Sequence, residues 1–298
     1  MTRAFIVVNP AAGGGRTGRM WRRLAHELSR LGLPFELAET RCRGHATELA
    51  RQAASAGWPL VVAVGGDGTL NEVVNGVTDT RGAPLATAGA ILTGRGRDAC
   101  RNLGLAADWR LAARRLVGGV DALLDLGVAE WPAGERRYFV NAAGAGFDAA
   151  VARRAVSRGG TGTLPYLRAV VESLAAHRAI PATLQADGAA EASARLTAAV
   201  AANGAYYGGG MRIAPSADPA DGVLDLVVLG DLGRAELLRW LPTVYRGRHL
   251  ANPKVSTRRV LRVSIGGASP LPTHVDGEAA ADTPVTFRVC PRALRLRR

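Results

Sequence analysis

The residues of this chain best suited to chemistry lie in the segment 65–72, Gly-Gly-Asp-Gly-Thr-Leu-Asn-Glu. The apolar run 61–64 before this segment is typical of a buried strand, and the polar residues after it begin a helix. Glycines let backbone N–H groups approach an anion closely, and a helix N-terminus adds partial positive charge. The segment therefore indicates phosphate chemistry, with Asp67 placed to hold or orient a magnesium ion.

Two further glycine-rich turns follow apolar runs in the same way. Residues 9–16 read Asn-Pro-Ala-Ala-Gly-Gly-Gly-Arg after the run 5–8, and residues 93–98 read Thr-Gly-Arg-Gly-Arg-Asp after the run 90–92. Each turn alone is equally well explained by the steric needs of a tight strand-to-helix connection. In an open α/β sheet, however, such loops converge outside the carboxyl ends of the strands. Together the turns predict one shared crevice for a nucleotide.

With these motifs in hand, the chain resembles the diacylglycerol kinase catalytic-domain family, in its bacterial soluble lipid kinase branch. The segments 65–72 and 9–16 are similar to the nucleotide signature and the opening loop of that family. Thr40, the turn Gly-His-Ala at 44–46 and the acid pair in Asp-Gly-Glu at 276–278 continue the match. Segments 203–210 and 214–226 extend it, so the resemblance covers nearly the whole chain in order.

The resemblance and the turns together give a set of expected site residues. The nucleotide is expected to contact Asn9, Gly13, Gly14, Arg16, Thr40, Gly65, Gly66, Gly68, Thr69, Asn71, Glu72, Gly94, Arg95 and Gly96. The resemblance implies that Asp276 is the catalytic base, that Glu278 orients it or shares its charge, and that Asp67 also serves catalysis. Taken singly, each acid is also a normal turn or cap residue.

The resemblance also implies two metal sites. Asp67, Asp98 and Asp125 match positions that form a network of carboxylates, water and magnesium, and a cation relieves the repulsion among grouped carboxylates. Asp221, with the backbone carbonyls of Asp218 and Val223, resembles a structural metal loop. His274, near Asp276, either touches the lipid acceptor or is an exposed strand residue.

The third turn departs from the family pattern Gly-Thr-Gly-Asn-Asp. Here it reads Gly-Arg-Gly-Arg-Asp, so Arg95 and Arg97 replace threonine and asparagine. Guanidinium groups pair well with phosphate oxygens, and the arginines then help to bind ATP. Their bulk and charge would otherwise displace the metal or block the crevice, which would weaken turnover.

The pattern of apolar runs and glycine turns differs between two parts of the chain. Up to about residue 126, apolar strands alternate with helices at glycine loops, which predicts a three-layer α/β domain with a parallel sheet. From residue 127 to 287 the runs 138–141, 195–200, 224–229 and 260–263 read as strands, which predicts a mostly β second domain, a sandwich, with one helix over 164–177. By resemblance, residues 288–298 return to complete the first domain.

Composition limits the partners and the location of the protein. The formal charge is +13 and the pI is about 11.0. Because Lys254 is the only lysine and alanine is abundant, genome composition explains this charge as well as a binding role does, and no nucleic acid partner is expected. No segment suits a signal peptide or a bilayer span, so a cytoplasmic protein is expected. The arginine-rich runs 258–262 and 292–298 either touch the membrane peripherally or form solvated strand faces, and an edge strand would allow a homodimer.

The sequence thus predicts a lipid kinase that uses ATP and Mg²⁺ to phosphorylate a hydroxyl of diacylglycerol or a related lipid alcohol. Two alternatives stay open. One is a protein that binds nucleotide or lipid with weakened catalysis, and the other is an NAD kinase, which shares the Gly-Gly-Asp-Gly turn.

Overall fold

The chain folds into two compact units. The first comprises Met1–Leu126 and Cys290–Arg298, and the second comprises Gly127–Val289. The structure, a computed structural model, describes residues 3–94, 96–157 and 163–298, and for residues 156, 157 and 163–167 it describes the backbone alone. The chain passes between the units twice, once near residue 126 and once near residue 289.

The first unit alternates strands and helices. In chain order its elements are β1 (Ala4–Val8), α1 (Ala12–Arg30), β2 (Phe35–Glu39), α2 (His45–Ser55), β3 (Leu60–Gly65), α3 (Asp67–Val77), β4 (Thr87–Leu92), α4 (Asp98–Leu103), α5 (Trp109–Gly118) and the start of β5 (Asp121–Glu130). The predicted alternation of apolar runs and glycine loops is confirmed in this unit.

The sheet of the first unit is parallel and covered on both faces. Its strands lie in the order β2, β1, β3, β4, and all neighbouring pairs are parallel. Leu24 of α1 and Leu116 of α5 pack with Val62 on one face. The alternate strand residue Val61 is also buried, on the face where α2 and α3 pack. Apolar strands buried on both sides produce the predicted three layers.

The second unit is mostly β with added helices. Its elements are the end of β5, β6 (Arg136–Phe139), β7 (Ala142–Gly146), α6 (Phe147–Ser157), α7 (Thr163–Ala176), β8 (Ile180–Ala186), β9 (Ala192–Leu196), β10 (Ala198–Ala202), β11 (Leu224–Leu229), α8 (Arg234–Trp240), the 3-10 helices Leu241–Arg246 and Arg248–Ala251, β12 (Val255–Val260), β13 (Arg262–Gly266), β14 (Thr273–Val275), β15 (Glu278–Ala280) and the start of β16 (Val285–Arg297). From Cys290 onward β16 belongs to the first unit.

Two antiparallel sheets enclose the core of the second unit. One has the order β12, β11, β10, β7, β14, β15, and the other places β13 between β16 and β8, with β9 beyond β8. Phe139 and Phe287 of the second sheet meet edge to face at 6.2 Å, and Leu226 and Val275 of the first sheet belong to the same core. The predicted sandwich is confirmed.

The structure differs from the sequence-based prediction in its helices. The helix expected at 164–177 is α7, but α6 and α8 were not predicted, because the sequence of α6 is rich in alanine and arginine and α8 is only 7 residues long. Among the described residues, no helix is both long enough and apolar enough to cross a bilayer.

The two arginine-rich runs differ in exposure. Most of the run 292–298 belongs to β16, whose Leu294 and Leu296 are fully buried and form core, so contact of this run with a membrane stays a prediction for its arginines alone. In the run 258–262, Leu261 is exposed at the junction of β12 and β13.

Candidate functional site

The carboxyl ends of three neighbouring strands bring the glycine turns together in the first unit. β1, β3 and β4 are adjacent and parallel, so the loops that follow them leave the same edge of the sheet. The strand order reverses between β1 and β3, which is where open α/β sheets bind ligands. Asn9, after β1, donates a hydrogen bond from Nδ2 to Oγ1 of Thr69, after β3, at 3.1 Å.

The first loop contains three consecutive glycines in the left-handed region. Gly13, Gly14 and Gly15 have φ values of 63°, 68° and 79°, which side chains strongly disfavour. A Cβ on Gly13 would lie 3.3 Å from the Thr93 carbonyl oxygen. Thr17 Oγ1 and Thr93 Oγ1 are 2.5 Å apart and buried, which joins this loop to the end of β4.

The second loop leaves an open surface at a helix N-terminus. A Cβ on Gly65 would lie 2.4 Å from Oγ1 of Thr69, so position 65 has no room for a side chain. Among the described residues, which leave out residue 95 of the neighbouring loop, a Cβ on Gly66 would meet nothing within 4 Å, and the φ of −100° at Gly66 is ordinary. The amides in the first turn of α3 have no acceptor within the helix. This surface suits an anion.

Asp67 connects the second loop to the third. Its Oδ2 accepts the N–H of Arg97 at 2.8 Å, and its Oδ1 accepts the N–H of Ala99 at 3.1 Å. Arg97 is left-handed, with a φ of 52°. Sequence reasoning gave Asp67 a role with magnesium, and the structure adds that its carboxylate holds the third loop in place.

The Arg97 side chain is directed at backbone carbonyls. Its Nε donates to the Gly94 oxygen at 3.1 Å, and its Nη1 donates to the Ala107 oxygen at 3.2 Å. In this structure Arg97 therefore braces the loop, a role that neither sequence-based alternative included. Arg95, expected to contact the nucleotide, lies outside the described residues.

The other carboxylates of the expected magnesium network have protein partners. Asp98 is buried and pairs with Arg101 at 2.8 Å, and Asp125 is buried and accepts the N–H of Arg292 at 2.7 Å. Within residues 3–94, 96–157 and 163–298, no three His, Cys, Asp or Glu residues are grouped so that they could hold a metal. Magnesium usually takes one or two carboxylates together with substrate phosphates. Asp67, beside the open Gly66 surface, fits that pattern, and the wider network stays a prediction.

Some expected nucleotide contacts have local structural roles. Glu72 accepts the N–H of Ala46 at 3.0 Å and so caps α2, whereas Asn71 is buried and accepts from Asn75. The backbone N–H of Thr40 donates to the Val8 oxygen at 2.8 Å. Arg16 is exposed beside the first loop. Their contacts with a nucleotide stay predictions.

In the second unit, Asp276 occupies the tight turn between β14 and β15. Its φ is 48°, and Gly277 after it is also left-handed. The carboxylate accepts the N–H of Val140 at 2.8 Å on Oδ2, and the N–H groups of Asn141 and Ala142 at 2.8 and 3.1 Å on Oδ1. These donors take three of the about four lone-pair positions of the carboxylate and orient it rigidly.

Glu278 follows the same turn, at the start of β15, and pairs with an arginine. Its Oε2 accepts a hydrogen bond from Nη2 of Arg137 at 2.5 Å, and both side chains are about one-quarter exposed. The expected role of Glu278, to orient the base or share its charge, stays a prediction.

His274 is buried beneath the same turn. Its Nε2 lies 2.8 Å from Oδ2 of Asp148, its Nδ1 accepts the N–H of Gly277 at 3.3 Å, and the Tyr207 ring stacks on it. This pattern places the ring proton on Nε2, toward Asp148. His274 lies on β14 as a strand residue, but it is only 1% exposed, so the expectation of an exposed residue is wrong, and its contact with the acceptor stays a prediction.

Asp148 was missed by the sequence analysis. The available signal was an acid two residues after the end of the glycine-rich strand β7, the same spacing that Asp67 has from the end of β3. The pair needs a glycine beside it, because a Cβ on Gly144 would lie 2.8 Å from Asp148 Oδ2 and 3.0 Å from His274 Nε2.

The predicted structural metal loop contains an arginine. Asp221 forms an ion pair with Arg259, and its Oδ1 also accepts the N–H of Val223 at 3.2 Å. Asp218 accepts the N–H of Ala220 at 3.1 Å. The guanidinium supplies the positive charge that a metal would bring, so the residues present do not fit a metal here.

The second unit also contains an apolar cavity. Its volume is about 40 Å³, which is room for no more than a few water molecules. Its apolar lining includes Phe147, Val200, Met211, Ile213, Leu237, Trp240, Leu241 and Val244. Asp148 and His249 also border it. The lining is apolar, but the space it encloses is too small for a hydrocarbon chain without movement of these side chains.

His249 is a buried neutral group at this cavity. It is 2% exposed, its Nε2 bonds to the Ile213 carbonyl at 3.0 Å, and its Nδ1 has no partner among the described residues. Burial lowers the pKa of His249 below its usual 6.5, and the hydrogen bond to the Ile213 carbonyl opposes this only in part.

The lowered pKa predicts a pH-dependent stability. Below about pH 6.5 the unfolded chain binds a proton on this ring that the folded protein does not, so stability falls as pH falls from there toward the folded pKa. The slope approaches about 1.4 kcal/mol per pH unit. His249→Gln keeps a donor for the Ile213 carbonyl and cannot titrate. Urea unfolding of both proteins between pH 5 and 8 should give a shallower pH slope for the variant, and equal slopes would contradict the assignment.

Family models match the two units in turn. The model described as the diacylglycerol kinase catalytic domain matches residues 3–129, and the one described as the YegS C-terminal NAD kinase beta sandwich-like domain matches residues 141–298. A diacylglycerol kinase from Mycobacterium tuberculosis is 33% identical over 255 residues, which is 85% of this chain and 81% of the relative. A diacylglycerol kinase from Bacillus subtilis is 29% identical over 290 residues, 96% of this chain and 93% of the relative.

Solved structures share the fold. The crystal structure of a diacylglycerol kinase from Bacillus anthracis matches with a TM-score of 0.73 and 19% identity, over 99% of this chain and 96% of that one. An NAD kinase from Archaeoglobus fulgidus in complex with ATP matches with a TM-score of 0.58 and 14% identity, over 100% and 94%. At these identities the likeness concerns the fold alone.

Proposed function

The chain belongs to the diacylglycerol kinase family of ATP-dependent lipid kinases, and on that premise we propose that it transfers the γ-phosphoryl group of ATP to a hydroxyl of diacylglycerol or a related lipid alcohol. The observation that carries the proposal is the edge of the parallel sheet where three loops are joined around the open Gly66 surface. The bonds Asn9 to Thr69, Thr17 to Thr93 and Asp67 to Arg97 join these loops.

The ATP phosphates are proposed to bind at this edge. The amides in the first turn of α3 donate to phosphate oxygens, and the absence of a side chain at Gly66 lets the phosphates approach the backbone. Because the loops are already tied to one another, binding orders few residues, and the donors are aimed before the nucleotide arrives.

Magnesium fits beside Asp67, where it would be held by that carboxylate and the phosphates and would supply neutralisation of phosphate charge. Asp67 would do so while its bonds to the amides of Arg97 and Ala99 keep the third loop in place.

Asp276 is proposed as the base. The acceptor oxygen forms a bond to the γ-phosphorus as the bond from that phosphorus to the β,γ-bridging oxygen breaks, and the hydroxyl proton passes to the Asp276 carboxylate. Three backbone N–H groups fix the direction of this carboxylate. Asp148 and His274 position the turn from below, through the bond from Gly277 to His274.

The apolar side chains around the small cavity of the second unit are proposed to contact a chain of the lipid acceptor. The lining is almost entirely hydrocarbon, and Asp148 gives it one acidic group. Because the cavity has a volume of only about 40 Å³, the side chains would have to move apart to admit such a chain.

The proposal is tested by a product assay. Purified protein is incubated with radiolabelled ATP, Mg²⁺ and diacylglycerol in mixed micelles, in parallel with a total bacterial lipid extract and with NAD. We expect a labelled lipid, with none formed when Mg²⁺ is chelated. Labelled NADP without labelled lipid would instead support the NAD kinase alternative, and no product from any acceptor would contradict the proposed activity.

A further inference from the structure

The cavity of the second unit is covered by a continuous helical segment. α8 (Arg234–Trp240) runs directly into the 3-10 helix Leu241–Arg246, and the residues at the junction keep helical dihedral angles. We call residues 234–246 the roof segment. Its residues Leu237, Leu241 and Val244, spaced i, i+4, i+7, form one stripe that lines the cavity.

A second apolar stripe of the roof segment faces outward. Leu238, Pro242 and Tyr245 have the same i, i+4, i+7 spacing, displaced by one residue from the inner stripe. Leu238 is 61% exposed and Tyr245 is 53% exposed, and Pro242 is exposed as well. The roof segment is therefore apolar on its outer side as well as on its inner side, and the outer side is a hydrophobic surface exposed to solvent.

The charges around the outer stripe are almost all positive. The stretch 234–248 contains Arg234, Arg239, Arg246 and Arg248 against the single acid Glu236. Glu236 is itself paired with Lys254 at 2.7 Å. Segments that lie in a membrane interface typically combine arginines with exposed apolar and aromatic residues such as leucine and tyrosine. Their long basic side chains reach the headgroups.

We propose that the outer stripe of the roof segment docks on a bilayer that contains anionic phospholipid, with Leu238 and Tyr245 inserted at the headgroup boundary. This inference rests on the proposed function, because a lipid kinase must take its acceptor from a bilayer. The same segment carries the outer stripe and, on its opposite side, residues that line the cavity.

The test measures binding to vesicles without ATP. The full chain is sedimented with vesicles of phosphatidylglycerol and phosphatidylcholine, and with vesicles of phosphatidylcholine alone. Arg239→Gln with Arg246→Gln should weaken partition onto the anionic vesicles by about 30-fold. Leu238→Ser with Tyr245→Ser should weaken it by at least about 10-fold. The matched controls are Arg22→Gln with Arg23→Gln on α1, and Leu85→Ser with Val120→Ser, whose side chains are 50% and 71% exposed.

Activity assays on two physical forms of the acceptor distinguish a failure of this inference from a failure of the proposed function. The roof variants should lose activity on diacylglycerol in anionic vesicles but keep it on a short-chain diacylglycerol dispersed in solution. Roof variants that bind vesicles as the wild type does, control variants that lose binding equally, or a wild type that binds neither vesicle would overturn the docking surface. Vesicle binding that depends on the roof segment, in a protein that phosphorylates no lipid, would support the surface and contradict the kinase proposal.

Discussion

Asp276→Asn is expected to lower the rate of lipid phosphorylation by about 10²- to 10⁴-fold, because it removes the proposed proton acceptor. The asparagine oxygen still accepts the N–H groups of Asn141 and Ala142, but its amide nitrogen would face the N–H of Val140. We therefore also expect the free energy of unfolding to fall by about 1–3 kcal/mol. Initial rates and urea unfolding are measured on the same preparation.

Asp187→Asn is the matched control for this substitution. Asp187 also has a left-handed backbone, with φ 51°, precedes a glycine in a hairpin, and accepts the N–H groups of Leu261 and Arg262. The same chemical change there should leave activity within about twofold of the wild type. If Asp276→Asn keeps full activity, or if both variants lose activity in parallel with stability, Asp276 is a structural turn residue and not the base.

Gly66→Ala is expected to impair the use of ATP while leaving the stability of the protein nearly unchanged. The added methyl group would enter open space at an ordinary φ, so the free energy of unfolding should change by less than about 0.5 kcal/mol. The same methyl would occupy the surface proposed for the phosphates, where a misfit costs about 1–3 kcal/mol and lowers kcat/KM for ATP by about 10- to 100-fold. Steady-state kinetics with varied ATP provide the measurement.

Substitutions at two other glycines are the controls for Gly66→Ala. A Cβ on Gly118, at the end of α5, would also meet nothing within 4 Å, and Gly118→Ala should leave both stability and kinetics unaltered or slightly improve stability. Gly65→Ala would place its Cβ 2.4 Å from Thr69 Oγ1 and should destabilise the protein. Normal kinetics in Gly66→Ala would place the phosphates elsewhere.

The fold and the loops of the site follow from local sequence signals. A parallel strand covered on both faces needs an unbroken apolar run, and residues 61–64 provide one directly before a glycine turn. A side chain at Gly65 would crowd Thr69, and a side chain at Gly13 would crowd the Thr93 carbonyl. Glycines in such turns therefore indicate from the sequence that neighbouring groups approach the backbone closely.

The partners of the polar side chains could not be predicted in this way. Glu72 caps α2 through Ala46, and Arg97 braces its own loop through Ala107, because packing brings distant backbone groups to them. Asp221 was interpreted as a metal ligand, whereas an arginine 38 residues away pairs with it. A short motif specifies which polar groups are present, but the tertiary fold determines which partner each polar group contacts.

The glycine beside the buried histidine has a consequence for how this protein can vary. Gly144 lies against both Asp148 and His274, with no space for even one methyl group. A side chain at 144 would also lie 3.0 Å from the backbone oxygen of Ala199, which no change of the acid or the imidazole can remove. The buried pair therefore depends on a position that must stay without a side chain, although that position makes no hydrogen bond through a side chain itself.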